Sequence, residues 1–241
     1  MRAMYAWGAH PGRCLATAGQ VRAVVLAMIV AAPTLVDRPA AQQAASVRGR
    51  VEIGPVSQRR SVSAYPSRAV PQAQLAPASE VLNVVVYLKN APARQVAPVR
   101  VAIRQQNETF VPRVVAVPLG SVVEFPNDDP IYHNVFSLSR ANEFNLGRYP
   151  RGQSKSERFD KPGIVKVFCE IHSHMTATVM VFDHPWFVVP DENGRFELPP
   201  MPPGQHDIVA WHERLGDSPQ RVTIEAGRPA EANFILPVPR Q

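Results

Sequence analysis

The chain has 241 residues, 45% hydrophobic and 19% charged, which is too apolar for a disordered protein and long enough for one or two domains. Its 25 prolines are about twice the usual share of about 5%; they suit strand ends and turns and argue against a helical bundle. The net charge is +6, but no run of Lys and Arg is interleaved with aromatics, so nucleic acid is not an expected partner.

The N-terminus reads as an export signal. From Ala23 to Ala32 the chain is apolar throughout, with Arg2, Arg13 and Arg22 before it and Pro33 after it. Such a run has the length of a signal-peptide core and is short for a membrane-spanning helix. Small residues from Ala40 to Ala45 offer a cleavage region, so residues 1–45 are expected to be a signal peptide and the protein periplasmic or secreted. A short uncleaved anchor is the alternative. Cleavage removes Cys14, one of the chain's 2 cysteines, and leaves Cys169 as a lone thiol in an oxidising compartment, a liability unless something uses it.

The rest reads as all-β. Val47–Ile53 alternates and predicts a strand. Gly54–Glu80, rich in Pro, Ser, Ala, Gln and Arg, predicts a flexible loop. Val81–Lys89 is a strong strand signal. Shorter strands are expected at Val99–Arg104, Val114–Val117, Ser121–Phe125, Val135–Leu138, Ser156–Phe159, Gly163–Cys169 and Ala177–Phe182, with Pro, Gly and Asn turns between them. After Pro185 the expected strands are Trp186–Val189, Arg195–Leu198, His206–His212, Arg221–Glu225 and Ala232–Leu236, with a proline-rich corner at Pro199–Gly204. Many short strands separated by turns indicate sandwiches or barrels.

The chemistry sits in Cys169-Glu170-Ile171-His172-Ser173-His174-Met175, with His133 upstream in Ile131-Tyr132-His133-Asn134-Val135. A thiolate, two imidazoles and a weak thioether form the ligand set of a blue-copper site. Each has a structural alternative: an inert buried thiol, a histidine satisfied at a strand end, a methionine filling the core.

These residues carry a resemblance. Thr109-Phe-Val-Pro112, Val117 to Asp129, His133-Asn-Val135, Asp160-Lys-Pro-Gly163 and the Cys-x2-His-x2-Met spacing resemble the cupredoxins, the plastocyanin and azurin fold, and within them the short-loop amicyanin. The wording also resembles secreted bacterial proteins of the methylamine utilisation type. The likeness spans roughly residues 97–183. It implies a Greek-key β-sandwich in which His133, Cys169 and His172 form a trigonal copper site and Met175 is the axial ligand. It also implies that Asn134 braces the cysteine loop. Glu170 and Ile171 depart from the small residue and proline of the short-loop members. Glu170 and His174 are therefore expected near the metal, and His174 competes with Met175 for the axial position.

The flanks resemble a carboxypeptidase regulatory-type, transthyretin-like or immunoglobulin-like sandwich. The pieces that carry this are Val47–Ile53, Val84–Leu88, Asp191-Glu-Asn-Gly-Arg-Phe196, Pro202-Pro-Gly204, Asp207–Trp211 and Ala232–Leu236. Residues 46–90 and 184–241 are thus expected to form one sandwich around the copper domain.

The implied function is one-electron carriage between a dehydrogenase and a c-type cytochrome-like acceptor; copper delivery or sensing is the runner-up. An enzyme is not expected. Of 7 histidines, removal of His10 leaves too few for a trinuclear centre, and His172-Ser-His174 is the sole His-x-His pair. His184, His206 and His212 read as surface or structural. Arg148, Arg151, Lys155 and Arg158 read as a solvated basic face, with steering of a redox partner as the alternative.

Overall fold

Alternation along the first strand, β1 (Ala45–Gly54), buries Ala45, Val47, Val51 and Ile53 and leaves Arg48, Arg50 and Glu52 outside or half outside. A computed structural model describes residues 43–54 and 78–238. The expected signal core and most of the Gly54–Glu80 loop lie outside the described residues. Ala45, expected as the end of the signal peptide, is already paired with Met201 in the strand ladder.

The expected all-β class holds. The described helical element is a 3-10 turn, Ala78–Asn83. It takes up Val81–Asn83, expected as the start of a strand, so β2 begins later, at Val84–Leu88. The middle of the chain supplies β3 (Arg100–Ala102), β4 (Arg104–Gln106), β5 (Thr109–Val111), β6 (Val114–Pro118), β7 (Ser121–Pro126), β8 (His133–Ser139), β9 (Asn142–Tyr149), β10 (Ser154–Phe159), β11 (Gly163–Phe168) and β12 (Thr176–Phe182). These form a five-stranded sheet ordered β6-β12-β11-β8-β9, a three-stranded sheet ordered β10-β7-β3, and the β4-β5 hairpin.

The last part supplies β13 (Phe187–Val188), β14 (Arg195–Met201), β15 (Gly204–His212), β16 (Gly216–Ile224), β17 (Ala230–Glu231) and β18 (Phe234–Pro237). These strands pair with the first two: β1 lies between β14 and β17 and also pairs β18, and β2 lies between β13 and β15. Pro199 and Pro200 continue β14 and do not form the expected corner, because a proline can sit in a strand where its nitrogen owes no ladder bond.

Three apolar clusters follow from these pairings. One gathers Val47, Val84, Val86, Leu198, Ile208, Ala210 and Phe234 from the two flanking sheets. A second gathers Phe125, Val135, Phe159, Val167, Cys169, Met175 and Val179 from the middle sheets. A third joins them: Val85 of β2, Val114 of β6, Met180 and Phe182 of β12, and Trp211 of β15. The apolar runs of β2 and β12 have their physical reason here. Both strands are covered on both faces, so neither shows polar alternation. Lys166 Nζ lies 5.4 Å above the Trp211 ring and 2.6 Å from Glu213 Oε1, closing a polar rim at this junction.

Gly49 permits a close approach of β1 to the following chain, because a methyl there would overlap the Ala232 carbonyl. Gly49→Ala should cost about 1–3 kcal/mol in urea unfolding; an unchanged midpoint would contradict that packing. His184 and His212 are buried, and burial lowers both below the ordinary imidazole value of 6.5, for His212 against the opposing pull of Glu80. The unfolded chain thus takes up protons that the folded chain does not. Stability is full above about pH 6.5 and falls as pH drops from there toward the lower folded values. In both residues Nδ1 accepts a backbone N–H, which the amide oxygen of Asn imitates. The metal-free His184→Asn/His212→Asn variant should show a shallower acid loss of stability than the wild type; an identical slope would refute this.

Candidate metal centre

Strand ends bring the site together. His133 opens β8, and β11, antiparallel to β8, ends at Phe168 opposite Phe136. The loop 169–175 then turns into β12. It is closed by its own backbone: Cys169 N–H donates to Met175 O at 3.3 Å, and Met175 N–H to His172 O at 3.0 Å. Cys169 therefore leaves one strand as Met175 enters the next.

His133 Nδ1, Cys169 Sγ and His172 Nδ1 converge. The two nitrogens are 3.0 Å apart, and the sulfur lies 4.0 Å from His133 Nδ1 and 3.9 Å from His172 Nδ1. An ion about 2.0 Å from each nitrogen and about 2.3 Å from sulfur, in the plane of the three, sets them about 3.5–3.7 Å apart. The observed distances straddle that range, so the donors fit a metal without moving a strand. His133 is fully buried, Cys169 nearly so, and His172 half-buried. Met175 is fully buried in the same apolar cluster as Cys169.

Asn134 is buried and ties the loop to β8: its Oδ1 accepts the Glu170 N–H at 3.4 Å, and its Nδ2 donates to Asn145 Oδ1 at 2.8 Å. The Glu170 side chain turns outward and pairs with Arg148 at 2.9 Å. The His174 side chain is 60% exposed, 3.6 Å from Glu108, with its ring centroid 6.2 Å from that of His172. The expected basic face is engaged locally at three of its positions. Arg148 holds Glu170, Arg158 holds Asp160, and Lys155 lies 5.2 Å above the Tyr149 ring.

No family model matches the chain. No curated protein matches it. Parts of it are similar to solved structures. A Cu-containing nitrite reductase from Thermus scotoductus SA-01 is 25% identical over 39% of this chain and 24% of its own, with a TM-score of 0.33. A purple cupredoxin from Nitrosopumilus maritimus is 25% identical over 32% of this chain and 84% of its own, with a TM-score of 0.29. Amicyanin from Paracoccus versutus is 18% identical over 40% of this chain and 97% of its own, with a TM-score of 0.32. This chain spans about a quarter of the nitrite reductase.

Sequence reasoning missed one residue of the site, Asp129. It is buried, and its Oδ2 lies 2.8 Å from His133 Nε2. The same carboxylate accepts the N–H groups of Asn107 at 2.6 Å and Glu108 at 2.9 Å. Burial pushes the Asp129 carboxyl up; the hydrogen bonds from Glu108, His133 and Asn107 outweigh it and hold the group below the usual carboxylate range. Asn107 and Glu108 are the turn of the β4–β5 hairpin, with φ of 52° and 53°. Two residues at positive φ make the turn that suits a tight hairpin, but neither is the glycine that announces one. The available signal was the Asp-x-x-x-His spacing from Asp129 to His133, hidden in a turn-like Asn-Asp-Asp-Pro run.

A second missed feature is β9, whose polar composition concealed it. Its Leu146–Gly147 step opposes the single residue Val135 of β8, and Gly147 has φ 67°. This bulge beside His133 and Asn134 also brings the Gly147 N–H to Asn145 Oδ1 at 2.8 Å. Asn134→Ala removes the acceptor for Glu170 and the donor for Asn145. In the metal-free protein, amide exchange at Glu170 should quicken while exchange in β12 stays unchanged. Equal exchange at Glu170 in the two proteins would show that Asn134 does not hold the loop.

Proposed function

We propose that this protein is an exported one-electron carrier holding a single copper ion. His133, Cys169 and His172 would hold the ion, with Met175 as a further, weaker donor. The convergence of His133 Nδ1, Cys169 Sγ and His172 Nδ1 carries this reading. One thiolate and two imidazoles with a buried methionine nearby match the donor preferences of copper in both oxidation states. Bound copper supplies the one-electron step between Cu(I) and Cu(II).

The residues of the chain account for the rest. The 169–175 loop and β8 hold the donors in fixed positions, which keeps the cost of rearrangement low on electron gain or loss. The apolar cluster behind Cys169 excludes water from the thiolate. His172 is the donor that reaches solvent, with exposed Ile131, Tyr132 and Ile171 close to the donors in sequence. Carriage rather than catalysis is the role proposed, with a periplasmic dehydrogenase as donor and a c-type cytochrome as acceptor. The flanking sheets, which pair chain segments 45–54 and 84–88 with 187–237, serve in this reading as a support around the copper domain. The export signal read at Ala23–Ala32 supports a location in the periplasm or outside the cell.

One observation favours a second reading, copper delivery. His174 and Glu108 form an exposed donor pair next to His172, which suits ligand exchange with an acceptor. Glu170, held by Arg148, does not share that position.

With one equivalent of Cu(II), the purified chain should develop an intense thiolate-to-copper band. Cys169→Ser should abolish it, and Met175→Leu should shift it without loss. Absence of the band, or its persistence in Cys169→Ser, would overturn the reading. Rapid, reversible redox cycling supports the carrier; fast loss of Cu(I) to a chelator, slowed in His174→Ala, would favour delivery instead.

A further inference from the structure

The His133 imidazole is held from both sides. Nδ1 faces Cys169 and His172, and Nε2 faces the Asp129 carboxylate at 2.8 Å. An ionised carboxylate only accepts hydrogen bonds, so Nε2 must carry the ring proton, and Nδ1 is left with a bare lone pair. That is the tautomer that binds a metal through Nδ1. The carboxylate has little freedom to turn away. It accepts the Asn107 and Glu108 N–H groups, and the Asp129 N–H donates to Asn127 Oδ1 at 3.0 Å. The nearest acid in sequence, Asp128, has a different task, since both its oxygens are held by Arg104 at 2.6 and 2.9 Å.

Resting on the copper reading above, we propose that Asp129 is a positioning residue of the metal centre: its carboxylate selects the His133 tautomer, strengthens His133 as a donor, and favours Cu(II) over Cu(I). A carboxylate on the far nitrogen of a ligating imidazole raises the basicity of the near one. Its negative charge, one ring away in a buried site, stabilises the more highly charged ion more. The two left-handed hairpin residues are then part of the same device. Their amides hold the carboxylate in line, and the carboxylate in turn holds Glu108 in a conformation that L-residues adopt at a cost.

The test compares the full wild-type chain with Asp129→Asn, Asp129→Glu and Asp128→Asn. Asp129→Asn should lower the ratio of Cu(II) to Cu(I) affinity about tenfold, an upward shift of about 59 mV in midpoint potential, with the thiolate band retained. Asp129→Glu should lie closer to wild type than Asp129→Asn. Asp128→Asn, which removes an equal charge one residue away, should change the ratio less than about twofold. Equal shifts in Asp128→Asn and Asp129→Asn, or none in Asp129→Asn, would overturn the proposal. A readout without metal stands beside this one: ring nitrogen shifts of His133 should report a protonated Nε2 and a bare Nδ1. A protonated Nδ1 overturns the proposal even if Asp129→Asn does not fold. A wild-type chain with the expected tautomer and no copper band would sink the copper reading and leave the tautomer lock standing.

Discussion

Two imidazole nitrogens and a thiol sulfur lie within about 4 Å of one another, with His133 and Cys169 buried and His172 half-buried; holding them there is the constraint on which the rest of this structure depends. The 169–175 loop meets part of it by itself, and the sheet meets the rest. Closure comes from the backbone bonds between Cys169, His172 and Met175, and from the sheet that fixes both loop ends in β11 and β12. The third donor arrives on β8, which pairs with β11 near its end. Each of these elements is itself pinned: β12 is covered on both faces, and β8 is bonded to β9 and β11.

The two-sided burial of β12 links the middle sheets to the flanking ones. Thr176–Phe182 presents Ala177, Val179 and Val181 to the cluster that contains Cys169, and Met180 and Phe182 to the junction with β2 and β15. A strand with apolar residues on both faces is stable only if both faces are covered. The flanking sheets cover the outer one. Their own strands come from opposite ends of the described chain, with β1 parallel to β18 and β2 antiparallel to β15. β13 thus pairs directly with β2, and the strands between them in the chain all belong to the middle sheets.

Legibility in the sequence followed the same physics. Strands with strong apolar alternation or full burial, such as β1, β2, β7 and β12, were readable because their side chains report burial directly. Cys169 and His172 were readable as a pair because they lie three residues apart in one short loop, and the structure brings both to His133. The elements that escaped are those whose reasons lie elsewhere in the chain. The β4–β5 hairpin turns on Asn107 and Glu108, and it is held by a carboxylate more than 20 residues away. β9 is half-exposed and polar, and its value lies in the bulge at Gly147 that faces Val135. Glu170 looked like a ligand-sphere acid from its place beside Cys169, yet the loop turns its side chain outward to Arg148.

That last placement separates two acids that both lie near a donor in the sequence. Glu170 follows Cys169 directly, and Asp129 precedes His133 by four residues. Glu170 reaches the solvent side, where its charge meets a guanidinium and is screened; the Glu170 side chain is 43% exposed. Asp129 lies inside, where salt and water screen its field much less, and its hydrogen-bond partners are an imidazole and two amides rather than a guanidinium. Burial therefore assigns the electrostatic weight at this site to the acid that sequence proximity ranks second. The buried carboxylate that faces the donor set is thus held from the hairpin side of the fold rather than from the loop that carries the thiol.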